Sequence, residues 1–78
     1  VISKAEYGTR SESVRKAQTL LSQLTFFPRD ALPTGLFGPL TEEALKAFQS
    51  FYGMSPTGRF DAETVSRLNN LLRVSPNL

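Results

Sequence analysis

The sequence predicts an all-α domain that folds as a bundle of three helices. Three segments place apolar residues three or four positions apart, as one face of a helix requires, and two loops containing Gly and Pro separate them. The 78 residues are 40% apolar and 21% charged, which is the composition of a small globular domain. No stretch approaches the ~20 apolar residues of a membrane-spanning helix. We therefore expect one domain that is not integral to a membrane.

The first helix is predicted between Ser11 and Leu24. Either Ser11 or Ser13 can cap its N-terminus with a side-chain oxygen. Gln18 is assigned to the polar face, together with Arg15, Lys16 and Gln23. The apolar stripe consists of Val14, Ala17, Leu20, Leu21 and Leu24.

The second helix has clear signals at both ends. Gly38 occupies the N-cap, and Pro39 takes the first helical position, where its missing N–H costs nothing. Glu42 and Glu43 follow where the helix dipole favours negative charge. Gly53 supplies a left-handed residue that ends the helix. The predicted buried face consists of Ala44, Leu45, Phe48, Phe51 and Tyr52.

The third helix is predicted to begin after Asp61, which can serve as its N-cap, and to end at Ser75-Pro76. Its apolar stripe consists of Val65, Leu68, Leu71 and Leu72. The domain is accordingly placed at residues 11–73. Residues 1–10 and 74–78 are predicted to be tails.

The two loops differ in length and in apolar content. The first, residues 25–37, contains Pro28, Pro33 and Gly35, which disfavour regular structure. It is apolar enough to predict that it folds back over the core, through Phe26, Phe27, Leu32, Leu36 and Phe37. The second loop, residues 54–60, is predicted to be a turn anchored by Met54 and Phe60.

A short internal repeat marks the starts of the second and third helices. Residues 35–45 and 58–68 both read Gly-x-Phe-(Gly/Asp)-x-x-Thr-x-x-x-Leu. The repeat predicts that Phe37 and Phe60 occupy equivalent buried positions. Thr41 and Thr64 fall at the third helical position, where a hydroxyl can bond to local backbone groups.

Composition excludes most catalytic chemistry. The chain has no Cys and no His, which removes thiol nucleophiles, Ser–His pairs and the usual zinc and haem ligands. The acidic residues at the helix starts have a dipole explanation, so we expect no catalytic residue, no metal and no cofactor. Nine Lys and Arg against seven Asp and Glu give +2, a balance too mild to require a nucleic-acid partner.

The order of motifs over residues 13–72 resembles that of the peptidoglycan-binding modules appended to bacterial cell-wall hydrolases. Three segments match the family pattern in order. They are the first helix with Val14 and Gln18, the segment from Gly35 through Gln49, and the turn with Gly53-Met54 and residues 58–61. The sequence departs from the family pattern in having Ala17 for a usual Leu, Thr34 for a frequent Asp, and Thr25 for the Gly that commonly ends the first helix.

The resemblance implies a three-helix bundle of the peptidoglycan-binding type. It implies a non-catalytic, monomeric module that binds the glycan or the stem peptide of peptidoglycan in the bacterial cell envelope, periplasmic or secreted. Such a module targets an attached hydrolase or envelope protein to the wall. The alternative is a protein–protein docking module on the same fold, in an envelope, secretion, phage or spore assembly.

The candidate ligand site is a shallow groove where the long loop passes the start of the second helix. Glycines let a ligand approach the backbone closely, and the free N–H groups of a helix N-terminus suit a carboxylate or an acetamido oxygen. The alternative is that most of these positions are structural, and the predicted core includes Phe37, Phe48, Phe51 and Phe60 in preference to a sugar-stacking platform. The candidate residues are Thr34, Gly35, Gly38, Thr41, Gln49, Tyr52 and Arg59.

Overall fold

The computed structural model describes residues 2–28 and 30–74, which form a bundle of three helices. Helix α1 spans Glu12–Gln23, α2 spans Pro39–Phe51 and α3 spans Ala62–Val74. Helix α1 packs against both α2 and α3. The predicted all-α bundle is confirmed. None of the three helices has the length and apolarity to cross a membrane in the part of the chain that the structure describes.

The helices begin where the capping signals predicted. The Ser11 side chain accepts a hydrogen bond from the Val14 N–H at 3.2 Å, and α2 has Gly38 as its N-cap with Pro39 at the first helical position. Helix α3 begins after Asp61, whose carbonyl oxygen accepts from the Val65 N–H at 2.8 Å. Its predicted end at Ser75-Pro76 lies outside the described residues. So does the predicted tail 74–78, apart from the last residue of α3.

The core is built on two equivalent phenylalanines, as the repeat predicted. Phe37 is 1% exposed and Phe60 is 3% exposed. Their rings meet edge to face, with centroids 5.1 Å apart and an interplanar angle of 88°, a favoured arrangement of an aromatic pair. The two helix starts therefore pack on each other through the same residue of the repeat. The buried apolar residues of the helices are Val14, Ala17, Leu20, Leu21, Ala44, Leu45, Phe48 and Leu68.

Phe51 was predicted to be buried, and that prediction is wrong: its side chain is 70% exposed. Successive residues are rotated by roughly 100° around a helix. Phe48 and Tyr52 lie one turn apart on the inner face of α2, so Phe51 points to the side. It rests against Tyr52 and the half-buried Phe26, with ring centroids 5.1 Å and 5.6 Å away.

The first loop covers the core mainly at its two ends. Phe27 and Phe37 are buried and Phe26 is half-buried, as predicted. Leu32 is 80% exposed and Leu36 is 39% exposed, contrary to prediction. In the middle of the loop the small side chain of Ala31 is half-buried and packs against the core, whereas its neighbour Leu32 lies in solvent.

Residues 1–10 were predicted to be a tail, but residues 2–10 pack along the bundle. Ile2 is 1% exposed, and its N–H and carbonyl oxygen bond to the side chain of Asn69 in α3 at 2.7 Å and 2.9 Å. Further along, the Gly8 N–H donates to the Phe37 carbonyl oxygen and the Phe37 N–H donates to the Thr9 carbonyl oxygen, both at 2.8 Å. Burial of an apolar residue and pairing of backbone groups fix this segment on the helices.

Helices α1 and α2 end in the same way. A Schellman motif closes each, with N–H groups of the two residues after the cap donating back into the last turn. The residue in the left-handed conformation is Gly53 after α2 (φ +75°) but Thr25 after α1 (φ +71°). A β-branched residue is strained in the left-handed region. The end of α1 therefore carries backbone strain at Thr25, whereas Gly53 avoids that strain at the end of α2.

We expect Thr25→Gly to raise the free energy of unfolding by about 0.5–1 kcal/mol, because relief of a left-handed side chain, ~1–2 kcal/mol, exceeds the entropic cost of Gly, ~0.5–1 kcal/mol. Urea unfolding followed by circular dichroism measures the change. Gly53→Ala is the matched control. A Cβ at Gly53 would have no heavy atom within 4 Å. Any loss of stability in Gly53→Ala therefore comes from backbone strain and not from a steric clash. A loss of stability in Thr25→Gly would contradict this account of the helix end.

Candidate functional site

A buried glutamine of α1 holds the start of α2. Gln18 is 1% exposed, and its Oε1 accepts the Gly35 N–H at 2.8 Å. Its Nε2 donates to the Leu36 carbonyl oxygen at 2.9 Å and to the Thr41 hydroxyl at 2.7 Å. The side-chain amide thus satisfies three groups of the incoming loop and the new helix. The assignment of Gln18 to the polar face was wrong, because a glutamine that satisfies its whole amide within the protein can be buried.

A buried glutamine of α2 holds the start of α3 in the same way. Gln49 is fully buried, and its Oε1 accepts the Gly58 N–H at 2.9 Å. Its Nε2 lies 3.0 Å from the Arg59 carbonyl oxygen and 2.9 Å from the Thr64 hydroxyl. The Thr57 hydroxyl is a third acceptor at 3.1 Å, so the two amide hydrogens are shared among three oxygens.

We call these two arrangements the glutamine cradles. They add to each copy of the sequence repeat a Gln from the preceding helix. Each cradle joins a Gln of one helix to a Gly N–H, the next carbonyl oxygen and the Thr of the following helix. Thr41 and Thr64 therefore bond to the preceding helix, and local capping is not their main role. The Gln was missed in the repeat because it precedes its glycine by different distances in the two copies, 17 and 9 positions.

The cradles account for three of the seven candidate ligand residues. Gly35, Thr41 and Gln49 are buried, and the polar groups that the cradles use are bonded within the protein. In this structure a ligand does not reach the amide of Gln49 or the hydroxyl of Thr41. Thr41 and Gln49 instead hold the starts of α2 and α3 against the preceding helices.

The other four candidates are accessible but lie in different surroundings. Thr34 is exposed, and its carbonyl oxygen accepts from Arg10 at 3.2 Å. Gly38 and Tyr52 are half-buried, and Tyr52 is covered by the Arg67 guanidinium, 5.0 Å from the ring centroid. Arg59 is exposed.

The described residues do form a groove, between the N-terminal segment and the second loop. Its volume is about 820 Å³, with residues 4–9 on one side and residues 58–62 on the other. Phe37 and Phe60 lie at its base and Glu42 of α2 also lines it. Of the seven sequence-based candidates, Arg59 lines this groove. The others were predicted without the N-terminal segment, which supplies five of the lining residues: Lys4, Ala5, Glu6, Tyr7 and Thr9.

Gly58 determines how closely the second loop approaches α2 at the groove. Its φ is +73°, and a Cβ there would lie 2.8 Å from Glu42 Cγ and 3.1 Å from Lys46 Cε. Only glycine combines this backbone conformation with this contact. The loop is thereby held against α2, and Arg59 beside it is directed to the surface.

The groove is lined by charges of both signs. Lys4 and Arg59 are cations, and Glu6, Glu42 and Asp61 are anions. The ion pairs found among the described residues, Glu12–Arg15 and Glu43–Lys46, lie elsewhere. Asp61 accepts a hydrogen bond from the Thr57 hydroxyl at 2.6 Å. The groove therefore presents two positive and three negative groups, and no ion pair within 4.0 Å joins any of them in the described part of the chain.

Fold and groove together define a small helical module with an open, polar groove on its surface. The family model described as "Putative peptidoglycan binding domain" matches residues 10–68, and the chain belongs to this family. Residues 4–9, which form one side of the groove, precede the matched region. The resemblance inferred from the motifs is confirmed.

Relatives of this chain are much longer proteins. "Localization factor PodJL" of Caulobacter vibrioides is 37% identical over 70 residues, which cover 87% of this chain and 7% of that protein. "N-acetylmuramoyl-L-alanine amidase CwlL" of Bacillus licheniformis is 32% identical over 68 residues, covering 82% of this chain and 19% of the amidase. The chain thus corresponds to a small part of each relative.

Proposed function

We propose that this chain is a non-catalytic, monomeric module that binds peptidoglycan and holds an attached protein at the bacterial cell wall. The observation that carries the proposal is the family match over residues 10–68 on a fold that displays an open groove. Similarity to part of a cell-wall amidase supports an attached hydrolase. The attached protein works in the periplasm or outside the cell, where the wall is accessible.

The groove contributes binding and lacks catalytic machinery. Among the candidates for acid–base catalysis, Asp61 bonds to Thr57 and Glu42 packs against Gly58. The chain contains no Cys or His, so the common nucleophile–base pairs cannot form. Binding to the wall raises the local concentration of whatever the module is attached to.

We expect the purified domain to sediment with insoluble peptidoglycan sacculi and to release no soluble muropeptides from them. Co-sedimentation at micromolar protein, with chromatography of the supernatant, measures both. The matched control is heat-unfolded domain, which lacks the groove. Failure of the folded domain to sediment at high micromolar concentration would contradict wall binding, and released muropeptides would contradict the non-catalytic role.

A second candidate function is protein–protein docking on the same fold. The observation that favours it is the 37% identity to a protein named as a localization factor, together with the exposed ring of Phe51, which lies beside the half-buried Phe26 and Tyr52. A docking module would remain in the supernatant of the sacculus experiment. Loss of sedimentation in Phe51→Ser would place the aromatic surface in wall binding, and unchanged sedimentation would leave it free for a protein partner.

A further inference from the structure

We propose that the groove between residues 4–9 and 58–62 binds the stem peptide of peptidoglycan in preference to its glycan. The inference rests on the proposed function and names the part of the wall polymer that is recognised. It follows from the charges that line the groove, from the anchoring of its N-terminal side at both ends and from the apolar contacts at its base.

The lining charges match a ligand that carries both signs. A glycan of N-acetylated sugars presents hydroxyl and acetamido groups and no charged amine. A stem peptide presents carboxylates and, where its diamino residue is not cross-linked, an ammonium group. Lys4 and Arg59 suit the carboxylates, and Glu6 and Glu42 suit the ammonium, because charge-assisted hydrogen bonds are stronger than neutral ones. The mixed lining of the groove is therefore complementary to the peptide.

The N-terminal side of the groove is held in place at both ends. The Ser3 N–H donates to the Ser13 hydroxyl at 2.6 Å, next to the buried Ile2 that is clamped by Asn69. Gly8 and Thr9 exchange backbone hydrogen bonds with Phe37. Lys4 and Glu6 lie on the short stretch of backbone between these two anchors, so less of the chain has to be ordered when a ligand binds.

The groove also provides small apolar contacts between the charges. Ala5 lines one side and Ala62 the other, and the Phe37–Phe60 pair lies at the base. Such surfaces suit the methyl groups of alanine residues in an extended peptide. Residues 4–9 precede the region matched by the family model, and they supply five of the twelve residues that line the groove.

The test is an amide chemical-shift titration of the labelled domain with two probes. One is the N-terminally acetylated peptide L-Ala-γ-D-Glu-L-Lys-D-Ala-D-Ala, whose amine is that of the Lys alone, and the other is a chitin hexasaccharide. We expect the peptide to perturb residues 4–9 and 58–62, and the hexasaccharide to leave them unchanged. Acetylation of the Lys amine should weaken the peptide about tenfold, as loss of one charge-assisted contact of ~1.4 kcal/mol predicts.

Two double variants of equal charge separate recognition from general attraction. Lys4→Gln with Arg59→Gln removes the groove cations, and Lys16→Gln with Arg73→Gln removes two exposed cations outside it. The first should weaken the peptide at least tenfold and the second less than twofold. Groove shifts caused by the hexasaccharide and absent with the peptide would overturn the proposal while leaving wall binding intact. No shifts with either probe, in a domain that still sediments with sacculi, would place the binding surface elsewhere.

Discussion

Replacing Phe37 by Ala is expected to lower the free energy of unfolding by ~3–5 kcal/mol, as truncation of a buried aromatic ring generally does. The ring is 1% exposed and contacts Phe60 and Tyr7, with centroids 5.1 Å and 5.5 Å away. A domain of this size has roughly 4–12 kcal/mol of total stability. The loss is therefore at least about a quarter of the total stability, and the variant should unfold at a much lower urea concentration than the unchanged domain.

Urea unfolding followed by circular dichroism measures this loss, with Phe51→Ala as the matched control. Both variants remove a phenylalanine ring, but Phe51 is 70% exposed, so its loss should cost about 1 kcal/mol or less. Phe60→Ala should behave like Phe37→Ala, because the repeat places the two rings equivalently. Equal costs for Phe37→Ala and Phe51→Ala would contradict the packing described.

Gln49→Leu is expected to lower the free energy of unfolding by at least ~2 kcal/mol, although Leu is similar in volume. The substitution leaves the buried Gly58 N–H and the Arg59 carbonyl oxygen without their partner. Each buried group left unsatisfied costs about 1–3 kcal/mol. Gln18→Leu should have a similar effect, because the first cradle bonds the same kinds of group.

The control for the cradles is Gln23→Leu, at an exposed glutamine of α1, which should change stability by about 0.5 kcal/mol or less. A double-mutant cycle adds a sharper test. Gln49→Leu combined with Thr64→Val should cost less than the sum of the single changes, since both partners of one hydrogen bond are then removed. Strict additivity would show that the amide and the hydroxyl are not coupled.

Much of the fold was predictable because it depends on local signals. Ser11, Gly38 with Pro39, and Gly53 fix helix ends through capping, which depends only on neighbouring residues. The burial of Phe37 and Phe60 followed from a repeat that is visible within eleven positions. Patterns of this kind need no knowledge of which distant segments meet.

The features missed by sequence reasoning depend on contacts between distant residues. Ile2 bonds to Asn69, 67 positions away, and nothing near Ile2 in the sequence distinguishes its segment from a tail. Gln is a residue type usually found at the protein surface. The burial of Gln18 is favourable only because its amide bonds to the distant residues Gly35 and Thr41. The groove was missed for the same reason, since one of its sides is that N-terminal segment.

The most direct test of the central claim is the affinity of the domain for sacculi when the groove cations are removed. We expect Lys4→Gln with Arg59→Gln to raise the dissociation constant at least about tenfold, which corresponds to ~1.4 kcal/mol. Lys16→Gln with Arg73→Gln should leave it within about twofold, a difference below ~0.5 kcal/mol. Equal weakening by both pairs would show general attraction to an anionic wall, and no weakening by the first pair would show that the groove is not the surface that binds.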